Sequence, residues 1–293
     1  MPELPEVETV KRGLEKLVIG KKIIAVSHDT DKSFPNDPEM VDEFMIGARI
    51  TGLRRRGKAM MLDLSTNYSL VVHLKMTGQM VFVGKERFGA GHPNDSLIDS
   101  LPDKSTRVTM TFSDKTQLFF NDQRKFGWVK LMPTAEVESL PFFQKLGPEP
   151  LVDSFTSKEF TERMKRRKNT TVKAALLDQS VLAGVGNIYA DESLFTSNIH
   201  PARRVRELTN KQLSTLLEEV KDVLELSIEK GGSTDRNYVD AEGKKGSYIT
   251  FAKVFRREGE PCLVDGTIIL KSRVAGRGTH YCPTCQPAPR GFK

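Results

Sequence analysis

The first twenty residues carry apolar side chains at helical spacing. Apolar positions recur every three or four residues over 5–19, and Pro5 suits the first turn of a helix while Gly20 suits its end. The spacing therefore predicts an N-terminal helix over 5–19. The positions on its apolar face are Val7, Val10, Leu14, Leu17 and Val18.

After this helix the pattern changes to short runs of apolar and β-branched residues. Gly, Asn, Asp or Ser turns separate the runs, which is typical of an antiparallel sandwich or barrel. The segment from Gly84 to Ser105 is rich in Gly, Pro, Asp and Ser, so it is predicted to be a long surface loop. The predicted strands span 22–26, 59–64, 69–74, 80–83, 107–112, 117–121 and 128–131.

Helical periodicity dominates the second half of the chain, after two prolines at 148 and 150 that mark a linker. The longest predicted helix begins after Thr209, has Gln212 three residues on, and stops at Gly231 and Gly232. From about residue 248 the chain returns to short strands and turns. The predicted helices span 157–168, 171–178, 187–197 and 210–230.

These patterns predict an α+β protein with two domains and a small C-terminal module. We place an N-terminal antiparallel β-sandwich domain with flanking helices at 1–132, a linker at 133–156, a helical domain at 157–247 and a β-hairpin module at 248–293. The uncharged stretches are far shorter than the roughly 20 apolar residues of a membrane span, and no leader is recognisable. A cytoplasmic protein is therefore expected.

The net charge of +7 is unevenly distributed. Residues 161–210 carry nine Lys and Arg against five Asp and Glu, and residues 251–293 carry eight against three. Localised basic surface of this kind suits a phosphate backbone, although solvated helix faces could produce part of the same excess. The charge pattern therefore favours nucleic acid as the partner.

The N-terminal sequence Met-Pro-Glu-Leu-Pro-Glu is a good helix start, and it could also be a chemical site. Removal of Met1 would expose the secondary amine of Pro2, and an α-amine titrates near about pH 8, so part of it is nucleophilic at neutral pH. Attack on a sugar C1′ would give an iminium cation, which makes the 2′-proton acidic. Glu3 and Glu6 flank this amine and could move protons.

Six motifs together resemble the formamidopyrimidine-DNA glycosylase family, also called 8-oxoguanine DNA glycosylase or MutM. They occur in the family's order along the whole chain, which makes the resemblance specific. It implies a helix-two-turns-helix DNA-binding element in the helical domain and a zinc finger at the C-terminus. The motifs are Met1–Val10, Arg56–Lys58, His73–Gly78, Asn121–Gly127, Gly184–Glu192 with Gly231–Thr234, and Gly276–Cys282.

The resemblance implies catalytic roles for a few residues. Pro2 corresponds to the Schiff-base nucleophile and Glu3 to the proton donor, with Glu6 as a neighbouring carboxyl. Lys58 corresponds to the lysine that contacts phosphate or lesion and assists β-elimination, and Arg277 to the arginine that supports δ-elimination. From the residues alone, Lys58 would be a solvated surface charge.

The resemblance also implies DNA contacts. Met76, Arg124 and Phe126 correspond to residues that enter the duplex where the damaged nucleotide flips out, although Met76 and Phe126 could equally be core residues. The loop from Ser233 to Tyr248 corresponds to the one that caps the flipped base. The remaining candidate DNA contacts are His73, Lys168, Lys173 and Asn187.

The family's zinc finger has the cysteine pattern C-x2-C-x16-C-x2-C. Here Cys262, Cys282 and Cys285 are present, but Asp265 stands at the second cysteine position with all spacings retained. Carboxylate oxygen can coordinate zinc, so one structural zinc on Cys3Asp is expected; the alternative is a finger without metal and with free thiols.

The resemblance implies a bifunctional glycosylase and apurinic/apyrimidinic lyase that removes 8-oxoguanine and formamidopyrimidines from double-stranded DNA in base excision repair. A monomer associated with the nucleoid is expected. Two alternatives stay open, namely an endonuclease VIII-like enzyme for oxidised pyrimidines and a homologue that binds damaged DNA without catalysis. The presence of Pro2, Glu3, Lys58 and Arg277 argues against the second alternative.

Overall fold

The computed structural model describes residues 1–232 and 248–292. The chain divides into two compact units: one is Met1–Gln144 with the segment that begins at Ile228, and the other is Lys145–Ser227 with the segment that begins at Tyr248. The predicted capping loop lies outside the described residues except for Tyr248. No helix among the described residues is long and apolar enough to cross a membrane.

Antiparallel strands and helices occupy largely separate stretches of the chain, which confirms the predicted α+β fold class. The helices are α1 (Leu4–Val18), α2 (Pro38–Phe44), α3 (Pro141–Gln144), α4 (Ser157–Arg166), α5 (Val172–Leu177), α6 (Asn187–Thr196) and α7 (Asn210–Glu229). The strands are β1 (Ile23–His28), β2 (Ile50–Arg56), β3 (Ala59–Leu64), β4 (Tyr68–His73), β5 (Gly78–Val83), β6 (Arg87–Gly91), β7 (Thr106–Phe112), β8 (Gln117–Asp122), β9 (Trp128–Pro133), β10 (Leu270–Val274) and β11 (Arg277–Tyr281).

Two antiparallel sheets form the first unit. One sheet has the order β1-β7-β8-β5-β6 and the other the order β2-β3-β4-β9. Both sheets and helix α1 contribute to one hydrophobic core, which includes Val10, Leu14, Val72 and Phe120. Burial of each such side chain contributes about 1.5–3 kcal/mol, so this core stabilises the strand ends that carry the candidate site.

The prediction of a surface loop from Gly84 to Ser105 is wrong in part. Residues Arg87–Gly91 form strand β6, which pairs with β5 at the edge of the five-stranded sheet. Helix α1 packs closely over this strand, since a Cβ built on Gly13 would lie 2.1 Å from Phe88 Cζ. The two glycines of β6 hid the strand, because glycine is depleted in strands and is typical of loops.

The second unit contains helices α4–α7 and the hairpin of β10 and β11. The predicted capping box starts α7: Thr209 N donates to Gln212 Oε1 at 3.0 Å, and Gln212 N donates to Thr209 Oγ1 at 3.2 Å. Hydroxyl N-caps also start α4 and α5, at Thr156 and Thr171. Of these three helix starts, only that of α7 was predicted from its capping residues.

Candidate active site and metal centre

The start of α1 brings the predicted nucleophile and both carboxyl groups together. Pro2, Glu3 and Glu6 are buried, whereas Met1 is 46% exposed. Glu3 is the N-cap of the helix, and its backbone N–H donates to Glu6 Oε2 at 2.7 Å. The segment after α7 lies against the same place, because a Cβ on Gly232 would be 3.4 Å from Glu6 Oε1. Glu6 therefore fixes the backbone that carries Pro2 and Glu3.

Lys58 lies in the turn between β2 and β3 and is only 9% exposed, unlike an ordinary surface lysine. Glu8 of α1 connects the N-terminal helix to this turn. Its Oε2 accepts from Arg55 Nε at 2.9 Å, and Arg55 Nη1 donates to the carbonyl of Gly57 at 3.1 Å. Burial raises the pKa of Glu8, but hydrogen bonds from Arg55 and Arg12 outweigh burial and leave it lowered. The residue is ionised at neutral pH, and sequence reasoning had given it no role.

His73 ends strand β4 and is only 7% exposed. Its Nδ1 accepts from Lys75 N at 3.0 Å, and its ring packs edge-on to Phe142 with 5.1 Å between centroids. Burial lowers its pKa to about 3, with further contributions from Lys75 and Lys58, so the imidazole is neutral at physiological pH. The structure thus places His73, a candidate DNA contact, in the interior beside the β4–β5 turn.

Met76, Arg124 and Phe126 lie on two turns of the first unit. Met76 is half-buried between β4 and β5, while Phe126, in the turn between β8 and β9, is 44% exposed. The guanidinium carbon of Arg124 lies 4.8 Å from the centroid of the Phe126 ring, so the two side chains form one stacked unit. An exposed aromatic ring covered by a cation is suited to stacking against bases.

In the second unit, Asn187 and Lys173 hold the first half of strand β11. Asn187 Nδ2 donates to the carbonyl of Gly278 at 3.0 Å, and Lys173 Nζ donates to the same carbonyl at 3.1 Å and to Thr279 Oγ1 at 2.7 Å. Arg277, which begins β11, is exposed next to these contacts. The two side chains thus position the strand that carries Arg277.

Lys173, which the resemblance makes a candidate DNA contact, is buried in the structure. The side chain is 0% exposed, and its Nζ lies 2.6 Å from Oδ1 of Asp191, which is also 0% exposed. Asp191 also accepts from His280 N at 3.0 Å. A buried lysine is stable when a carboxylate pairs with it, and the sequence did not reveal that partner. Lys168, just after α4, is exposed, as a contact with the phosphate backbone of DNA would require.

Cys262, Asp265, Cys282 and Cys285 converge, with their ligand atoms all within 4.8 Å of one another. Cys262 Sγ lies 3.9 Å from Cys285 Sγ, and Asp265 oxygens lie 3.5 Å from Cys282 Sγ and 3.3 Å from Cys285 Sγ. Zinc–sulfur bonds of about 2.3 Å in a tetrahedron require ligand separations of roughly 3.8 Å. The four residues therefore fit a zinc ion.

The Asp265 carboxylate carries negative charge that favours a cation, whereas the thiols have to release their protons in order to bind one. The backbone N–H of Thr267 helps to lower the pKa of Asp265 to about 2, so its carboxylate is ionised. Burial raises the pKa of the Cys282 and Cys285 thiols, and Asp265 raises that of Cys285 further. Thiols close to a carboxylate lose their protons readily only to a bound metal ion.

Comparison with known families agrees with this geometry. A family model described as the formamidopyrimidine-DNA glycosylase N-terminal domain matches residues 1–129, and one described as the H2TH domain of the same enzyme matches residues 146–238. A zinc finger model described as found in FPG and IleRS matches residues 259–288, which include all four metal-binding candidates. The chain belongs to the formamidopyrimidine-DNA glycosylase family.

Similar proteins cover the whole chain. Formamidopyrimidine-DNA glycosylase from Bacillus cereus is 41% identical over 98% of this chain and 99% of its own length, and the Listeria innocua protein is 40% identical over 98% and 100%. Lactococcus lactis Fpg in complex with DNA containing an abasic site has a TM-score of 0.86 at 35% identity, covering 98% of this chain and all of its own. A Lactococcus lactis Fpg mutant bound to DNA containing Fapy-dG also gives a TM-score of 0.86, at 34% identity.

Sequence reasoning missed two buried carboxylates that organise this member of the glycosylase family. Glu192 accepts hydrogen bonds from the backbone N–H groups of Lys253, Val254 and Phe255 at 2.7–2.9 Å, and burial raises its pKa. Asp122 is 1% exposed and binds backbone groups of the Arg124 and Phe126 turn. Both stand in motifs quoted above, but only the fold reveals their partners.

Proposed function

We propose that this chain is a bifunctional DNA glycosylase and apurinic/apyrimidinic lyase that removes oxidised purines from double-stranded DNA. The observation that carries the proposal is the burial of Pro2, Glu3 and Glu6 together at the start of α1. Membership of the formamidopyrimidine-DNA glycosylase family supports the substrate class. The proposed condition is that Met1 is removed, because the nitrogen of Pro2 is otherwise an amide without nucleophilicity.

In the proposed reaction the Pro2 nitrogen attacks C1′ of the damaged nucleotide, the base leaves, and the nitrogen loses its proton. The C1′–O4′ bond then breaks as Glu3 protonates O4′, and the nitrogen lone pair forms the second bond to C1′. The resulting iminium cannot lose its charge by deprotonation at nitrogen, so it withdraws electrons from the sugar. Loss of the 2′-proton then expels the 3′-phosphate, and a second elimination expels the 5′-phosphate. Glu3 supplies and accepts protons beside the amine, and Lys58 and Arg277 stabilise phosphate charge.

The proposed DNA grip divides between the two units. In the first, Met76, Arg124 and Phe126 occupy the space that a flipped nucleotide leaves, which offsets part of the unstacking cost. In the second, the turn that precedes helix α6 offers backbone N–H groups to phosphate, and Asn187 and Lys173 hold the strand of Arg277. Solved Lactococcus lactis relatives bound to DNA that contains Fapy-dG or an abasic site support damaged DNA as the partner.

The proposed zinc ion has a structural role. It would be held by Cys262, Asp265, Cys282 and Cys285, and it would supply charge neutralisation for ligands on both sides of the β10–β11 hairpin. We propose an N-terminal domain at 1–132, a linker at 133–156, a helical domain at 157–247 and a C-terminal finger at 248–293. We also propose that the protein is located in the cytoplasm, at the nucleoid. The exposed Lys168 adds a contact to the phosphate backbone of DNA.

Borohydride trapping tests the proposal. The mature protein is incubated with an 8-oxoguanine:cytosine duplex and sodium borohydride, and a covalent adduct is expected because borohydride reduces the iminium to a stable amine. The matched control is the same chain with an uncleaved N-terminal extension, in which the Pro2 nitrogen is an amide. An adduct of equal yield in that control, or none with mature protein, would reject the Pro2 mechanism.

Lesion preference is tested with the same assay. Excision of 8-oxoguanine is expected to exceed excision of thymine glycol from an otherwise identical duplex. A preference for thymine glycol would replace the proposal by the endonuclease VIII-like alternative, and tight binding to both duplexes without strand cleavage would replace it by the non-catalytic one.

A further inference from the structure

The two turns that carry Met76, Arg124 and Phe126 leave neighbouring strands at the same end of one sheet. Strand β5 pairs with β8, and Gly78 at the start of β5 lies opposite Asp122 at the end of β8. We call residues 74–78 the first wedge turn and residues 122–127 the second wedge turn. Their side chains can act together only if the two turns keep a fixed spacing.

A single carboxylate joins the two wedge turns. Asp122 Oδ1 accepts from the Thr77 hydroxyl of the first turn and from Arg124 N at 3.1 Å. Its Oδ2 accepts from Phe126 N at 2.8 Å and from Gly127 N at 2.6 Å. Asp122 is 1% exposed and Thr77 is 8% exposed, so these bonds form away from competing water.

Each donor constrains a residue that would touch DNA. The N–H groups of Arg124 and Phe126 belong to the wedge residues themselves, and Thr77 follows Met76 directly. Both oxygens of the carboxylate are needed, since two donors converge on each. An asparagine offers one oxygen and presents an N–H₂ group to the other pair of donors, so it cannot make the same set.

The backbone of both wedge turns is under mild strain near the Asp122 carboxylate. Lys75 in the first wedge turn and Lys125 in the second have positive φ angles of 51° and 55°. Non-glycine residues adopt this conformation at a cost, and they keep it only where surrounding contacts impose it. Arg107 adds one such contact by donating through Nε to the backbone carbonyl of Asp122 at 2.7 Å.

We propose that Asp122 is a positioning residue that sets Met76, Arg124 and Phe126 in their relative places before DNA arrives. A wedge ordered in advance loses little conformational entropy on insertion, so more of the contact energy offsets unstacking of the duplex. The inference rests on the proposed role of these three residues in filling the space of the flipped nucleotide. Asp122 itself touches neither base nor sugar.

The test compares Asp122→Asn with the wild-type chain on two substrates. With an 8-oxoguanine:cytosine duplex, where a base must leave the stack, single-turnover excision is expected to fall by about tenfold or more. With a preformed abasic site in a single-stranded oligonucleotide there is no duplex to enter, so the borohydride trapping rate is expected to stay within about twofold of wild type.

A direct readout of insertion accompanies the kinetics. A fluorescent cytosine analogue opposite 8-oxoguanine brightens when it loses its stacked neighbour, and this rise is expected to be reduced in Asp122→Asn. Thr77→Val removes the hydroxyl that donates to Asp122 and accepts from Arg124 N at 3.1 Å, but it keeps the carboxylate, so a smaller reduction is expected. The matched control is Asp63→Asn, because Asp63 also accepts side-chain hydrogen bonds, from Arg54 at 2.6 and 2.8 Å and from Ser69 at 2.6 Å, but belongs to the other sheet. It is expected to retain wild-type fluorescence and excision.

Two results would overturn the inference: wild-type excision and fluorescence in Asp122→Asn, or an equal loss on both substrates, which would assign Asp122 to folding or to the chemical step. If circular dichroism shows that Asp122→Asn is unfolded, Thr77→Val decides, and an unchanged fluorescence rise in it rejects the proposal. Failure of the wild-type chain to form any adduct would instead reject the proposed function.

Discussion

Two aspartates hold loops in the two units by different means. Asp122 is 1% exposed and accepts four hydrogen bonds from its own chain. Asp265 is exposed and accepts from Thr267 N at 2.9 Å, with the thiols of Cys282 and Cys285 within 3.5 Å. The Asp122 carboxylate has hydrogen bonds from N–H and O–H groups. The Asp265 carboxylate faces cysteine thiols, which share a site with it favourably only when both bind a cation.

The Asp122 site needs only hydrogen-bond donors of the polypeptide, whereas the Asp265 site needs a bound metal ion. The wedge turns require only the folded first unit, because all donors to Asp122 come from residues 77–127. The finger requires a metal ion, because only a shared ion links Cys262 and Asp265 to Cys282 and Cys285, the two cysteines after β11. A perturbation of the metal should therefore leave the wedge turns intact, and the reverse should also hold.

Metal removal should produce the largest effect. Structural zinc binding contributes about 10–16 kcal/mol at neutral pH in zinc-finger peptides, so a strong chelator should unfold the β10–β11 hairpin. Hydrogen exchange is expected to lose protection over Leu270–Tyr281 and to keep it at Phe126 and Gly127. Elemental analysis should find one zinc per chain before treatment, and much less than one with a protected hairpin would contradict the metal-completed finger.

Asp265→Cys and Asp265→Ala sharpen this prediction. A fourth thiolate should raise zinc affinity because zinc favours sulfur ligands, and loss of the carboxylate should lower it. Competition with a chromophoric chelator measures both changes. Equal affinity in all three chains would show that Asp265 is not a ligand.

Breaking the buried Lys173–Asp191 pair should have the next largest effect. Lys173→Met leaves the Asp191 carboxylate buried without its cation, which should cost about 3–5 kcal/mol of folding free energy. Adding Asp191→Asn removes the charge but keeps an acceptor for His280 N, so most of the loss should be recovered. Denaturant unfolding measures both, and additive losses would contradict the pairing.

The pH dependence of the first unit should show the neutral state of His73. Its pKa falls from 6.5 to about 3 on folding, so between these values the unfolded chain binds a proton that the folded chain excludes. Stability from this residue is therefore complete above about pH 6.5 and decreases by up to about 1.4 kcal/mol per pH unit below it. His73→Asn, which keeps an acceptor for Lys75 N, should remove this slope. An NMR titration midpoint near 6.5 would contradict burial.

The smallest effect should come from Glu8, which connects α1 to the turn of Lys58 through Arg55. The two side chains are 13% and 11% exposed, so Glu8→Gln should lower stability by about 1–2 kcal/mol. Trapping by Pro2 should slow only slightly, since the variant keeps the helix cap. A thermal melt measures the stability change, and an unchanged melting temperature would show that the contact is not maintained in solution.

The sequence predicted local structure well where local chemistry determines it. The periodicity of α1, the capping box of α7 and the short β-type runs of β3, β4, β7 and β8 are all local signals. Strand β6 was missed because its pairing with β5, not its glycine-rich sequence, makes it a strand. Helix α2 was missed although Asp37 and Pro38 are helix-start residues, whereas strand β2 becomes regular through packing in the core of the first unit.

The candidate site divides in the same way. Motifs located Pro2, Glu3 and the four finger residues, and the structure brings each group together. The burial of His73 and Lys173 depended on distant partners, Phe142 for one and Asp191 and Thr279 for the other. A single sequence carries no signal for such pairings, and the DNA contacts expected of both residues came from the resemblance to the family.

The central claim is that the mature N-terminal proline is the nucleophile, and locating the adduct tests it most directly. Protein trapped by borohydride on an 8-oxoguanine duplex is digested with nuclease and protease, and the peptide that carries the sugar fragment is identified by mass spectrometry. The account predicts the fragment on the nitrogen of Pro2 in a peptide that lacks Met1. A fragment on Lys58 or on another lysine would contradict it.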